Sequence, residues 1–299
     1  MVQPAPNRFT LLEPEFLRKL DRLSLVARKL VTGKMRGERR SRKKGISVDF
    51  ADYRAYVPRD DLRFVDWNIF GRLDRLFLKL YQEEEDLNVY LLIDISASMD
   101  FGEITKFDYA RKLAAAFGYL ALVNHDRLAV SAFHAEAGRS LDPIRSKNQV
   151  WKLFRFLEEL ECEGLTDLPT RCKDFVIRNP RRGIVILLSD FMDPSGYETA
   201  LATLLGRRHE IFAIQILSPE EIDPGFRGHL RLFDSETGEE VEITLTESLR
   251  SVYRRKVAAY VDSLRSHCAA RGIYHLTSRT DFEIEKLMLE YLRRVGFVR

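Results

Sequence analysis

Leu91–Met99 reads LLIDISASM. An apolar run of the kind that fills a core strand stops at Asp94, and Ser96 and Ser98 follow at alternate positions. Asp and Ser are ordinary turn residues, so the stretch reads first as a strand running out into a polar loop. A sharper reading is that Asp94, Ser96 and Ser98 aim three oxygens at a cation. The surrounding chain decides what fold such a loop would belong to.

LNVYLLID (Leu87–Asp94) is a buried strand by its unbroken apolar content, and from it onward strands alternate with amphipathic helices. Thr105–Val123 is a helix with Thr105 as N-cap and Asp108 in its first turn. RLAVSAF (Arg127–Phe133) is the next strand, with a shorter one near Ser140–Pro143 and helices at Lys147–Leu160 and Leu168–Arg178. GIVILLSD (Gly183–Asp190) is a third strong strand, followed by a helix near Tyr197–Arg207 and the strand EIFAIQIL (Glu210–Leu217). The last unit is helix Leu245–Arg271, strand Ile273–Leu276 and helix Phe282–Val295. Strands separated by helices of this length pair in parallel, which predicts an α/β fold with a doubly wound, mostly parallel sheet. HLRLFDSETGEEVEIT (His229–Thr244) breaks the pattern and reads as an inserted β-hairpin around a Glu-Thr-Gly turn.

Before that region, Phe16, Leu17, Leu20, Leu23, Val26, Ala27 and Leu30 recur at helical spacing and predict one amphipathic helix over Pro14–Val31. RGERRSRKKG (Arg36–Gly45) follows; it lacks the interleaved aromatics of a nucleic-acid surface and reads as a solvated basic loop or a dock for an acidic protein. The expected organisation is an N-terminal helical and irregular extension over 1–75 and the sheet domain over 76–299, with the hairpin at 229–244. No internal repeat is evident.

The totals agree with this. At 299 residues, 45% hydrophobic and 31% charged, the chain has the composition of a globular protein of about two domains. A net charge of +3 gives no electrostatic case for nucleic acid. The opening MVQPAPNRFTLLEPEFL lacks the basic-then-apolar order of a secretory signal, and the longest apolar run, Leu113–Val123, falls short of the ~18 residues a membrane span needs. Cys162, Cys172 and Cys268 are odd in number and widely spaced, so they are expected as reduced thiols in a cytoplasmic chain.

In a doubly wound sheet, ligands bind beyond the carboxyl ends of the strands where the strand order reverses. Three loops should meet there: Asp94, Ser96 and Ser98 on the first, Thr166 and Asp167 on the second, Ser189 and Asp190 on the third. Carboxylates and hydroxyls without histidine or thiolate suit Mg²⁺ or Mn²⁺ and disfavour zinc. The six histidines, His125, His134, His209, His229, His267 and His275, are scattered and show no metal-ligand spacing.

The set Asp94, Ser96, Ser98, Thr166 and Asp190 resembles the metal-ion-dependent adhesion site of Rossmann-like von Willebrand factor A domains. That resemblance implies that the two serines ligate magnesium directly, the threonine directly or through water, and the aspartates mostly through water. It also implies a sixth position open to a partner's carboxylate, with Asp167 as an accessory candidate. A second resemblance covers most of the chain. RSRKKGISVDFADYRAYVPRDDLRFVDW (Arg40–Trp67), Arg72, LFLKLYQEEEDLNVYLLIDISASM (Leu76–Met99) and LFDSETGEEVEIT (Leu232–Thr244) are similar to the signature of the DUF58 family, A-domain proteins found with MoxR-type AAA+ ATPases. Arg59 stands where that signature commonly has glycine. The absence of the membrane pair found in many relatives implies the cytoplasmic branch.

Tyr53, Tyr56, Phe64 and Trp67 of the signature are expected in the core, as large aromatics generally are. Asp49, Arg54, Asp60, Asp61, Arg63, Asp66 and Arg72 are expected to form a salt-bridged clamp between the N-terminal segment and the sheet domain. Two functions remain open. One is a non-enzymatic adaptor whose Mg²⁺ or Mn²⁺ is completed by an acidic residue of a client protein, working with a MoxR-type AAA+ ATPase. The other is a metal-dependent phosphate-ester hydrolase. A dehalogenase-type aspartyl nucleophile would want a second aspartate where Ser96 stands, and no Walker loop is present.

Overall fold

The computed structural model describes residues 11–23, 49–58, 60–82, 87–136, 138–225, 228–233 and 240–292. In chain order the elements are α1 (Pro14–Leu20), β1 (Asp49–Ala55), α2 (Trp67–Leu73), β2 (Phe77–Gln82), β3 (Asn88–Asp94), α3 (Lys106–Val123), β4 (Arg127–Phe133) and β5 (Gly138–Ile144). They continue with α4 (Val150–Glu158), α5 (Leu168–Arg178), β6 (Ile184–Ser189), α6 (Glu198–Gly206), β7 (Glu210–Leu217), β8 (Gly228–Phe233), β9 (Glu240–Leu245), α7 (Glu247–Ala270) and β10 (Tyr274–Arg279).

The described residues fall into two compact units: one holds α1 and everything from Leu87 onward, the other lies within Arg36–Asp86. This differs from a division at 75/76. α1 buries Phe16 and Leu20 in the same apolar cluster as α3, and Tyr119 of α3 donates its hydroxyl to Asp21 at 2.7 Å. β2 stays with the smaller unit because it pairs antiparallel with β1. The expected helix over Pro14–Val31 is seen as α1, which ends at Leu20, and residues 21–23 turn out of it with Leu23 buried; residues 24–31 and the basic run Arg36–Gly45 lie outside the described residues.

The larger unit is built on a six-stranded sheet in the order β10-β7-β6-β3-β4-β5. All neighbours pair in parallel except β5, which runs antiparallel to β4 at the edge. From β3 the chain moves outward to β4 and β5, then returns across the sheet to β6 and proceeds to β7 and β10. The strand order therefore reverses between β3 and β6.

Alternation along β3 divides the core between two faces, because successive strand side chains point to opposite sides. Val89, Leu91 and Ile93 pack with α1, α3 and α4; Tyr90 and Leu92 pack with α5, α6 and α7. Both central strands are apolar on both faces, as a parallel sheet covered on each side requires. Burying each such leucine or isoleucine stabilises the fold by roughly 1.5–3 kcal/mol. β8 and β9 form the separate antiparallel pair expected at 229–244; its turn, 234–239, is outside the described residues. The expected last helix appears as a short turn, Ile284–Lys286, continued by a π-helical segment, Leu287–Tyr291.

In the smaller unit, Asp66 caps α2 by accepting from the backbone of Asn68 and Ile69, and its other oxygen receives the Tyr53 hydroxyl at 3.1 Å. Arg54 pairs with Asp60 at 2.9 Å and Arg63 with Asp61 at 2.6 Å, so these ion pairs of the expected clamp join residues within the unit. The expected burial of Trp67 and Tyr53 is not observed: they are 59% and 40% exposed. Two strands and one short helix enclose too little volume to cover them, and Trp67 instead meets Phe70 edge-on. Arg59 lies outside the described residues.

Candidate metal centre

Where β3 ends, its last carboxylate folds the loop that follows. Asp94 Oδ1 accepts from the Ser96 backbone N–H at 3.0 Å and from the Ser96 hydroxyl at 2.7 Å. This is the turn that a short carboxylate makes with the backbone two residues on. Ser96 then leads into the 3₁₀ turn Ala97–Met99, and the Ser98 hydroxyl lies 3.0 Å from that of Ser96.

β6 ends in the same way one strand over. Ser189 Oγ accepts from the Phe191 backbone, Asp190 Oδ1 accepts from the Met192 backbone, and both bonds are 2.9 Å. Ser189 donates its hydroxyl to Asp94 Oδ2 at 2.7 Å, joining the two loops. Ser98 lies 3.4 Å from Asp190 Oδ2, a loose contact on the accessible side of the cluster. Phe191 takes φ 60°, uncommon for a bulky residue, and is held there by complete burial and a bond from the Tyr260 hydroxyl to its carbonyl.

The third loop is bound to the first by its backbone. Glu163 N–H donates to Ile95 O and Ala97 N–H to Gly164 O, both at 2.9 Å, so the loop that leads to the half-buried Thr166 is tied to the first loop. Asp167, the accessory candidate, caps α5 through Thr170 N–H. The junction is closed from β6 by Asp193, whose Oδ2 accepts from Leu168 N–H at 2.6 Å.

Two residues that the sequence reading did not select complete the cluster. Lys106, the first residue of α3, is 1% exposed, and its Nζ lies 2.6 Å from Asp190 Oδ2 and 2.5 Å from Glu221 Oε1. Glu221 is on the one-turn helix Pro219–Ile222 after β7, where a capping box with Ser218 fixes it. The SPEE motif at 218–221 signals that cap, but nothing in sequence shows that the lysine beside Thr105 turns inward.

Charge is tightly constrained here. Burial first, and the neighbouring charge of Asp190 second, push the Asp94 pKa up to about 7. Burial works against the Lys106 ammonium, but Asp190 and Glu221 outweigh it and raise its pKa. Glu221 is raised by burial and partly restored by Lys106. Three carboxylates thus meet one ammonium in a largely buried site, an acidic excess that a divalent cation would offset.

The donors are oxygens of aspartate, serine and threonine, the set that hard cations take. Among the described residues no group of three or more His, Cys, Asp or Glu side chains is placed to hold a metal, and this cluster instead mixes carboxylate with hydroxyl oxygens. By chemistry and by charge its residues fit Mg²⁺ or Mn²⁺.

A family model described as "Protein of unknown function DUF58" matches residues 52–262. The chain belongs to the DUF58 family. In this DUF58 protein the match begins within β1 and ends within α7, so it takes in both units and every loop of the cluster. An uncharacterised protein of Mycobacterium bovis is 26% identical over 286 residues, covering 93% of this chain and 89% of that protein. An uncharacterised protein of Mycobacterium avium is 33% identical over 107 residues, 35% of this chain and 63% of that protein. Among solved structures, the conserved hypothetical protein BatB of Bacteroides thetaiotaomicron aligns with 70% of this chain and 98% of its own, at 14% identity and a TM-score of 0.44. An aerotolerance-related membrane protein of Bacteroides fragilis aligns with 70% and 97%, at 11% identity and a TM-score of 0.45. Among the described residues of this DUF58 protein, no helix is long and apolar enough to cross a membrane.

Proposed function

We propose that this DUF58 protein is a non-enzymatic, metal-dependent adaptor of the cytoplasm. Its larger unit acts as a von Willebrand factor A-like domain that engages an acidic residue of a client protein. Asp94, Ser96, Ser98, Thr166 and Asp190 would hold the Mg²⁺ or Mn²⁺. A hard cation in that position supplies a Lewis-acid site on which a partner's carboxylate can close. The chain's own part is to orient the donors: Ser189 and the Ser96 backbone fix Asp94, and the Met192 backbone fixes Asp190.

The observation that carries a protein partner, rather than a small phosphate ester, is the rim. Phe101 and Ile104 follow the first loop, Leu165 precedes Thr166 and Met192 follows Asp190; they are 45%, 46%, 46% and 38% exposed. Large apolar side chains left in water on the loops that carry the polar cluster are what a protein interface covers. A MoxR-type AAA+ ATPase is proposed as the co-working partner from the resemblance of the signature Arg40–Met99, in maturation or remodelling of the client.

The test is capture of partners by the immobilised protein in Mg²⁺, with parallel samples in EDTA and with Thr166→Ala. Acidic-client binding should be lost in both, and the bound set should contain the ATPase. Turnover of a phosphate ester by the pure protein, dependent on Mg²⁺ and abolished by Asp94→Asn, would replace this reading with the hydrolase.

A further inference from the structure

Lys106 occupies a costly place. A positive charge on the first residue of a helix opposes the helix dipole, and an ammonium withdrawn from water loses several kcal/mol of hydration. Neither the cap, which Thr105 supplies, nor the packing of α3 calls for a lysine there. Its partners do. Asp190 Oδ2 and Glu221 Oε1 flank the ammonium at 2.6 and 2.5 Å.

Glu221 is prepared for this contact. Its Oε2 accepts from Ser218 N–H at 2.9 Å and its own N–H donates to Ser218 Oγ at 3.1 Å, so one carboxylate oxygen is committed to the loop and the other is left for Lys106. The loop is fastened in turn to α7: Tyr253 donates its hydroxyl to Glu221 O at 2.8 Å, and Arg250 pairs with Asp223 at 2.7 Å. A fourth loop, after β7, is thereby joined through one ammonium to the carboxylate of a proposed metal ligand.

We infer that Lys106 and Glu221 are a built-in counter-ion pair that sets the cation affinity of the cluster, Lys106 standing in for part of the metal's charge on Asp190 and Glu221 drawing that ammonium away. The inference rests on the metal-site reading above and adds two residues to it. Without a divalent ion, Lys106 keeps Asp190 from facing Asp94 as a second unbalanced carboxylate. With one, ammonium and metal both draw on Asp190, and the bond to Glu221 lets Lys106 share it. Charge alone then orders the variants. Relative to the native cluster, Lys106→Met removes one positive charge and should bind Mg²⁺ more tightly. Glu221→Gln removes one negative charge and should bind it more weakly. The double variant restores the native balance and should return near to it.

The experiment is calorimetric titration of the pure protein and these three variants with Mg²⁺, accompanied by thermal unfolding in EDTA and in saturating Mg²⁺. Each single variant should shift the dissociation constant on the order of tenfold, in opposite directions, as a unit charge at close range in a partly dry site would. Lys106→Met should also unfold at lower temperature in EDTA and gain more from Mg²⁺ than the native chain. Glu221→Gln, at a partly accessible side chain, tests the charge order independently should Lys106→Met fail to fold. Equal affinities, or weaker binding by Lys106→Met, would overturn the inference while leaving the metal site standing. Absence of Mg²⁺ and Mn²⁺ binding by the native protein would overturn the site and the inference together.

Discussion

Ser189 shows how much depends on single atoms at the strand ends. It was legible as a polar residue after a strong strand, yet its work is to donate to Asp94 Oδ2 while accepting from Phe191 N–H. Ser189→Ala leaves a buried carboxylate oxygen without its donor, a loss of about 1–3 kcal/mol. Urea unfolding in EDTA should show it, and Mg²⁺ affinity should fall several-fold as Asp94 loses its orientation; unchanged values in both would mean that Ser189 holds nothing. A second residue sets a pH dependence away from the cluster. Burial, and then the charge of Arg265, push the His275 pKa down to about 4. In the unfolded chain this imidazole protonates near its ordinary pKa of ~6.5, so below that pH the unfolded state takes a proton that the folded state refuses until about pH 4. Its contribution to stability therefore falls as pH drops from 6.5 towards 4. His275→Gln should lose less stability than the native protein between pH 7 and pH 5 in urea titrations, and an equal loss in the two would contradict the assignment.

At the scale of elements, backbone approach decides more than propensity. Gly183 opens the path into β6, and a Cβ there would lie 2.2 Å from the Asn88 carbonyl oxygen, a backbone atom at the start of β3. Gly206, the last residue of α6, has nothing within 4 Å of the same position. Alanine at 206 should stabilise by up to about 1 kcal/mol through lost unfolded-state freedom. At 183 the same change should destabilise clearly, because β6 must move from β3. Thermal unfolding of the two variants should separate in sign. The alternation of apolar strands and capped helices made most of the larger unit legible: Thr105 caps α3 as expected, and α5 and β7 begin and end where periodicity put them. β1, α2 and β2 are hard to see in the sequence, because their short, charged runs carry little period and Asp66, the cap of α2, looks like any turn aspartate. Lys106 escaped for another reason. A lysine in an amphipathic helix normally faces water, and only the convergence of Asp190 and Glu221 from distant loops turns it inward.

The whole molecule gathers at one edge of the sheet what the chain spreads over more than a hundred residues. Reversal of the strand order between β3 and β6 sets Asp94 and Asp190 side by side, and the backbone bonds of 163–164 tie the loop that leads to Thr166 to the loop after β3. The side chains at that edge are oxygen-bearing, with one buried ammonium, and the loops around them expose apolar residues. The most direct measurement is an anomalous difference map from crystals of the protein grown in Mn²⁺. The expected result is one strong peak between Ser96 Oγ, Ser98 Oγ and Thr166 Oγ1, with Asp94 and Asp190 around it and no peak in Ser96→Ala crystals. A map with no peak there, or with manganese bound only at surface carboxylates, would contradict the metal centre.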